Sequence, residues 1–411
     1  MWAMGVGEMV GGRASAGVLA RALVTLALVL AVVLSGCVPE RIDDAPMPEE
    51  GSALDLGSDN SSQEALERTT PARVELSDWG KFSINADVVL PAQLDVSARI
   101  VRPVLFDDRM PSLLDFFSLE ENDLVQQFEE EDGSGTYRRF QNEAGDMLVV
   151  MPGSVSYTNR RAGLYANVFV GQPDSTLRSP YDASELEGMT IEEAREKANQ
   201  AVKALGLNVS LSPRVFSATA EDLNACNNAF TESYLSLDGD LSEEEAARVR
   251  EELSEDIVDH EFTQDDEIYV IFYDALCGDA PLTSAHAPTQ DSGKNQCLEG
   301  SIVRVLVGRT GILEVSAEGQ YEEIGSAVGQ DEGSGSMPVK VEAALESLKE
   351  RYAGVLSEDT LPIDRIALEY CVLADKTVES GKRLVPVWTF RNADAPDIVF
   401  RVDARDEQFL G

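Results

Sequence analysis

Apolar and polar side chains alternate along Phe82-Ser83-Ile84-Asn85-Ala86-Asp87-Val88. A period of two sends alternate residues to opposite faces, so this segment predicts a half-buried strand. Ala98 to Val104 predicts its neighbour. Short helical patches are expected at Leu113 to Phe117 and at Glu121 to Phe128. Thr136 to Phe140, Met147 to Met151, Ser154 to Tyr157 and Leu164 to Val170 then read as successive antiparallel strands. Turn residues separate them at Gly133-Ser134-Gly135, Gly145, Pro152-Gly153 and Arg161-Ala162-Gly163.

A helical period follows. Thr190-Ile191-Glu192-Glu193 is a capping box, in which the Thr190 side chain accepts from the third helical amide and Glu193 reaches back. Ile191, Ala194, Ala198, Ala201, Val202 and Leu205 then share a face, and Gly206 ends the helix. Arg214 to Ala220 predicts a strand. A second capping box, Ser242-Glu243-Glu244-Glu245, opens an acidic helix towards Val258. Ile268 to Tyr273 is the strongest strand run, and Ile302 to Val307 with Ile312 to Val315 predicts a hairpin across Gly308-Arg309-Thr310-Gly311. Beyond a Gly, Ser and acid-rich linker at 326–336, Val341, Ala344, Leu345, Leu348 and Tyr352 line one helical face, and Gly354 stops it. Strands at Ile366 to Val372, Leu384 to Phe390 and Ile398 to Val402 close the chain.

The pattern predicts an α+β fold, built as successive modules of amphipathic helix packed on antiparallel sheet. Three folded regions are expected: a mostly-β region at 72–178, an α+β region at 185–325 and a second α+β region at 335–411. Residues 37–71, with Pro39, Pro46, Pro48, Pro71 and few apolar side chains, predict a disordered tether. Its reach is about 30–35 Å for a flexible coil of that length.

The N-terminus has a different pattern. Arg13 and Arg21 precede a run of 13 residues from Ala22 to Leu34, closed by Ser35-Gly36-Cys37. A basic start, a short apolar run and small residues make a secretory signal, with 1–36 as the leader. A membrane span needs about 20 apolar residues, and no later segment reaches 18. Leu34-Ser35-Gly36-Cys37 resembles the lipobox of bacterial lipoproteins. The resemblance implies recognition of Leu34, Ser35 and Gly36 by the signal peptidase, cleavage before Cys37, and a diacylglyceryl group on the Cys37 sulfur. Two or more acyl chains suffice for lasting attachment, each buried methylene contributing roughly 0.8 kcal/mol. The expected location is the outer face of the bacterial cytoplasmic membrane, or the outer membrane in a Gram-negative source.

Composition changes the picture in one respect. The chain carries a net charge of −41, and the leader's Glu8, Arg13 and Arg21 sum to +1, so residues from Cys37 onward carry −42. Such a field makes nucleic acid an unfavourable partner and favours divalent cations or basic protein surfaces. With hydrophobic residues at 43%, the chain nonetheless has material for cores.

Candidate chemistry is sparse. Apart from Cys37, four cysteines remain (Cys226, Cys277, Cys297 and Cys371), and they allow three connectivities. Cys277 and Cys297 flank a polar loop between two strand-like runs and are the best-placed disulfide; buried thiols are the alternative. His260-Glu261-Phe262-Thr263-Gln264 begins like a zinc-protease motif, but Gln264 stands where the second histidine is needed. The other histidine, His286, sits in a polar loop. No G-x-S-x-G elbow occurs. Asp238-Gly239-Asp240-Leu241-Ser242-Glu243-Glu244-Glu245 resembles the second half of an EF-hand loop, which would make Asp238, Asp240 and Glu245 calcium ligands. That register puts Tyr234 at the first ligand position, so a tight turn before a capped helix is the competing reading. No cofactor is expected beyond loosely held Ca2+. Trp388 alternates with apolar neighbours, which favours a core position over a ligand-stacking one.

The closing Ile398-Val399-Phe400-Arg401-Val402-Asp403-Ala404 resembles the last strand of PepSY-type modules, with Arg405-Asp406-Glu407 in place of that family's Thr-Gly turn. The resemblance covers 335–411 and, more loosely, 188–320. It implies extracytoplasmic, non-catalytic modules associated with inhibiting or regulating proteases and wall-associated proteins. The layout is also similar to uncharacterised surface lipoproteins of Gram-positive bacteria. The expected function is therefore a membrane-anchored, non-catalytic lipoprotein that binds or regulates an extracytoplasmic protein partner. A cell-wall or peptide-processing enzyme and a ligand-binding lipoprotein of a transport system are the alternatives.

Overall fold

Thr190 caps its helix as its sequence requires. In the computed structural model its side chain accepts from the Glu193 amide at 3.2 Å, while Glu193 Oε2 accepts from the Thr190 amide at 2.8 Å. The structure describes residues 66–91, 98–129, 135–165, 183–210, 212–236, 260–283, 300–326, 338–354, 360–374, 381–393, 399–407 and 409–410. All described residues belong to one compact unit within 59–411. After a helical turn at 66–69, the longer helices are α1 (Met110–Phe116), α2 (Ile191–Leu205), α3 (Ala220–Ser236) and α4 (Val341–Tyr352). No helix of the described residues is long and apolar enough to cross a membrane.

Two sheets organise the fold, which is α+β. The first contains β1 (Arg73–Trp79), β2 (Phe82–Val89), β3 (Arg99–Pro103), β14 (Tyr321–Ser326), β15 (Leu361–Ala374), β16 (Lys382–Asn392) and β17 (Val399–Asp403). Its order is β1-β2-β15-β16-β3-β14, with β17 also on β16. All its pairings are antiparallel except β2 with β15. The second sheet contains β4 (Leu124–Glu129), β5 (Thr136–Gln141), β6 (Met147–Met151), β7 (Ser154–Thr158), β8 (Arg214–Ala218), β9 (Ile268–Tyr273), β12 (Ile302–Gly308) and β13 (Gly311–Glu318). It is antiparallel throughout, in the order β4-β5-β6-β7-β13-β12-β9-β8. A small ribbon pairs β10 (Leu276–Cys277) with β11 (Ala280–Pro281).

These sheets cut across the three consecutive regions expected from the sequence. β2 and β3 pair with β15 and β16 of the C-terminal region, while β4 to β7 continue into the middle region's sheet. The folded part also starts before residue 72: Leu66, expected in the tether, is 3% exposed and packs with Phe82, Leu348 and Phe400. The expected helical patch at 121–128 is instead a 3-10 turn at Glu121–Asp123 followed by β4. At Leu164 the chain is in a 3-10 turn, Ala162–Tyr165; the rest of that expected strand, the acidic helix at 242–258 and the tether before residue 66 lie outside the described residues.

Helices cover the sheets on chosen faces. α4 lays Val341, Ala344, Leu345 and Leu348 onto Phe82, Ile366, Trp388 and Phe400 of the first sheet. α1 and α2 cover one face of the second sheet, where Leu113 and Ala198 join Phe140, Leu148, Val305 and Ile271. Tyr370, Val372 and Leu384 of the first sheet enter that same core, so the two sheets share it. On the opposite face Leu223 of α3 packs with Phe262, Val270, Phe272 and Leu306.

Two local devices fix this arrangement. Gly206, at φ +60°, ends α2 in the left-handed conformation, and Arg109 Nη1 donates to the Leu205 and Gly206 carbonyls at 3.0 and 2.9 Å. A Cβ at Gly206 would stand 2.9 Å from that guanidinium, so glycine serves both the cap and the cation that neutralises the helix end. Pro386 lies inside β16, where a strand normally needs its amide. Its carbonyl accepts from Ala404 on the edge where β3, paired at 383–384, has ended and β17, paired at 387–391, begins. The missing N–H thus falls at a changeover between partners.

Candidate functional site

β4 is the outermost strand of the second sheet, and all six of its residues are exposed. Leu124, Val125 and Phe128 are 40%, 56% and 43% exposed, among the largest apolar exposures of the described residues. The strand is launched by the turn Glu121–Asp123, where the Glu120 amide donates to Asp123 Oδ2 at 2.8 Å and the Asp123 amide to the Glu120 carbonyl at 3.0 Å. Leu124 then faces Phe140, Gln126 faces Arg139, Gln127 faces Arg138, Phe128 faces Tyr137 and Glu129 faces Thr136. Val125 is the extra residue of a bulge between the first two pairs. Bulges re-aim a side chain and occur preferentially at sheet edges and functional sites.

The far face of this edge is apolar in one row. Phe128 stacks on Tyr137 with ring centroids 4.6 Å apart and planes 12° from parallel. Tyr137 stands one position beyond the Arg138–Val150 pair, next to Met151, which is 36% exposed. The helix-covered face instead takes Arg138, which forms a close ion pair with Asp107 beside α1. Acids bracket the strand: Glu120 and Glu121 are exposed before it and Glu129, which accepts from Thr136 Oγ1 at 3.0 Å, ends it. In the sequence Glu130-Glu131-Asp132 continues the acidic end. β4 therefore offers one unpaired line of backbone donors and acceptors among the described residues, an apolar row beside it, and negative charge at both ends.

A second cluster surrounds Asp266, which is 4% exposed. Its carboxylate takes Arg161 Nη2 at 2.7 Å, the Thr263 amide and hydroxyl at 2.9 Å each, and stands 3.4 Å from His260 Nε2. The Tyr165 hydroxyl donates to the Asp266 carbonyl at 2.8 Å. Burial by itself would raise the Asp266 carboxyl, but the hydrogen bonds it accepts from Thr263, together with the neighbouring His260 and Arg161, outweigh it and hold the carboxyl below its ordinary value. The cluster ties the 3-10 turns at 162–165 and 264–266 together, and Gln264 opens the second turn, so His260 and Gln264 do not share a helical face. A folded-state pKa below the unfolded one contributes stability that is present above pH 3.8 and is lost as pH falls through the folded value. Asp266→Asn is accordingly expected to lose about 1–3 kcal/mol at pH 7. Urea melts should show the gap to the native protein closing as pH falls towards 2.

The remaining expected sites separate as follows. Leu34, Ser35, Gly36 and Cys37 lie outside the described residues, as do Asp238, Asp240 and Glu245 of the calcium reading and Cys297. Cys277 is a free, buried thiol at the ribbon beside β14, and burial pushes it up to about 11. Cys226 is half-buried and Cys371 is buried. Among the described residues no three His, Cys, Asp or Glu side chains gather as a metal site. Trp388 is fully buried, with Nε1 donating to the Val339 carbonyl at 2.9 Å; it is core.

The sequence pattern misplaced β4 because Leu124, Val125 and Phe128 stand at i, i+1 and i+4, a helical spacing. The signal that would have found it is the Gly-rich turn at 133–135 between two short runs, which marks a hairpin.

No protein family's sequence model matches the chain, and no curated protein matches it. The fold is shared with an uncharacterised protein from Eubacterium rectale ATCC 33656, known from a crystal structure at 1.45 Å resolution. The two chains are 14% identical and superpose with a TM-score of 0.57 over 86% of this chain and 99% of that one, a similarity of fold.

Proposed function

We propose that the chain is a membrane-anchored extracytoplasmic lipoprotein whose work is non-catalytic: it binds, and so masks or regulates, a membrane- or cell-wall-associated protein. The observation that carries the binding reading is the exposed β4 edge. Soluble proteins ordinarily blunt such an edge with lysine, proline, a bulge or a covering element, because unpaired backbone invites another strand, and in β4 the bulge at Val125 leaves the ladder from Gln126 to Glu129 regular. β4 has neither lysine nor proline and keeps Val125 and Phe128 in solvent. Leaving such a strand open is consistent with selection for contact. The anchoring reading is supported by the lipobox-like Leu34-Ser35-Gly36-Cys37 after its basic, apolar leader. The strongly negative body is repelled by anionic lipid within about 8 Å at physiological salt, so an attached body stands off the surface that holds it.

Cys37→Ala tests the attachment. The variant is expected to appear in the culture medium or to accumulate uncleaved, while the native chain fractionates with membranes and takes up labelled fatty acid. Normal cleavage and membrane retention of the variant would overturn this reading.

A further inference from the structure

We propose that β4 is a strand-addition edge whose partner is an extended segment of another protein, with apolar residues at alternate positions and Lys or Arg at both ends. The inference rests on the binding function above and names the surface and the partner's chemistry. Three observations carry it. β4 supplies backbone for pairing over about 20 Å at strand rise. From Gln126 to Glu129 its register with β5 is regular, so the strand is straight enough to serve as a template. The row Phe128, Tyr137 and Met151 lies on one face, where an added strand places every second side chain.

Charge selects the partner. Glu120 and Glu121 stand at one end and Glu129 at the other. A second copy of this chain would bring those acids against its own, whether it paired parallel or antiparallel, and like charges on adjacent strands are destabilising. A nucleic acid or an anionic lipid surface is repelled in the same way. Lysine or arginine at both ends of an added strand meets an acid at each end, and the net charge of −41 draws such a segment in from a distance. The bulged Val125 projects beside the regular part of the ladder and adds an apolar contact there.

The test uses the full chain purified in detergent and random phage-displayed peptides of about 12 residues, twice the strand's length. Peptides selected on the native chain are expected to carry Lys or Arg at their ends and apolar residues at alternate positions. Synthetic copies should slow hydrogen exchange at the amides of residues 124–129. Val125→Lys and Phe128→Lys should each weaken binding by about tenfold or more. Ile324→Lys, on the exposed edge strand β14 of the other sheet, should leave it unchanged. A Glu121→Lys, Glu129→Lys double variant should lose the basic-ended peptides and gain acid-ended ones. Thermal melts verify that each variant folds. The proposal is overturned if selection returns no binder, if the selected peptides bind Val125→Lys and Phe128→Lys as tightly as the native chain, or if basic ends are not enriched. Concentration-dependent protection of residues 124–129 without peptide would assign the edge to a second copy instead. Failure here leaves the Cys37 anchoring test untouched, and failure of anchoring leaves the peptide result standing.

Discussion

Trp388→Ala is expected to destabilise the protein by about 3–5 kcal/mol, the range for removing a large aromatic from a packed core. Trp388 sits on the central strand β16, paired to Leu368 of β15 on one side and Val402 of β17 on the other. Its ring lies in the cluster that α4 closes with Val341, Ala344, Leu345 and Leu348. Its indole N–H holds the Val339 carbonyl, and the Val339 amide in turn donates to Ala404 at 2.7 Å, so the entry to α4 is pinned to both neighbours of the ring. Alanine would leave a cavity and strip the Val339 carbonyl of this donor. Trp388→Phe keeps most of the apolar contact and loses the hydrogen bond, for about 1–2 kcal/mol. Urea denaturation followed by far-UV circular dichroism measures both. A ligand-stacking tryptophan would behave oppositely, with alanine leaving the unfolding midpoint unmoved.

Gly319→Ala is expected to cost about 2–4 kcal/mol, from left-handed backbone strain together with a clash that cannot relax by rotating a side chain. Gly319 has φ +62°, and a Cβ there would meet the Gly300 carbonyl oxygen at 2.7 Å and the Ser301 Cα at 3.1 Å. The residue stands where the chain leaves β13 in the second sheet and enters β14 in the first. Its neighbour Gln320 is 4% exposed and exchanges backbone hydrogen bonds with Gly153 and Val104, while its side-chain amide donates to Ser301 Oγ and the Glu318 carbonyl. Moving Gly319 therefore moves the joint between the sheets. Gly381→Ala is the control: φ is +65°, but nothing lies within 4 Å of a Cβ, so only the strain of about 1 kcal/mol remains. Thermal melts of the two variants separate clash from strain.

Much of the fold's local structure was legible. The capping box at Thr190 and Glu193, the α4 face from Val341 to Leu348 and the β12–β13 hairpin are each set by interactions within a few residues, and side-chain period reports these directly. Less legible were elements whose fate is decided by distant partners. β14 lies on the rim of the first sheet and is a strand because β3, far earlier in the chain, accepts it. α3 carries few apolar residues in regular spacing and is held at one end by Leu223 against Phe262 and Phe272. The period of two assigns a residue to a face and is silent about which strand lies beside it, so the pairing of β2 with β15 was beyond reach. The candidate site was least legible of all. A residue set whose spacing implies burial in a helix was instead left open to solvent on an edge, and pattern reading assumes that apolar side chains are spaced for the core.

That β2–β15 pairing sets an order of events while the chain is being made. Ile84 finds its neighbour Ile363, and Val88 its neighbour Ile366, only after nearly the whole chain has been synthesised. At about 5–20 residues per second, the β1–β2 hairpin waits for roughly 15–55 seconds before the strand that completes its sheet exists. During that interval Phe82, Ile84 and Ala86 have neither β15 nor α4 to bury them. The β1–β2 hairpin is thus among the first strands made and is completed only when β15 arrives as its latch.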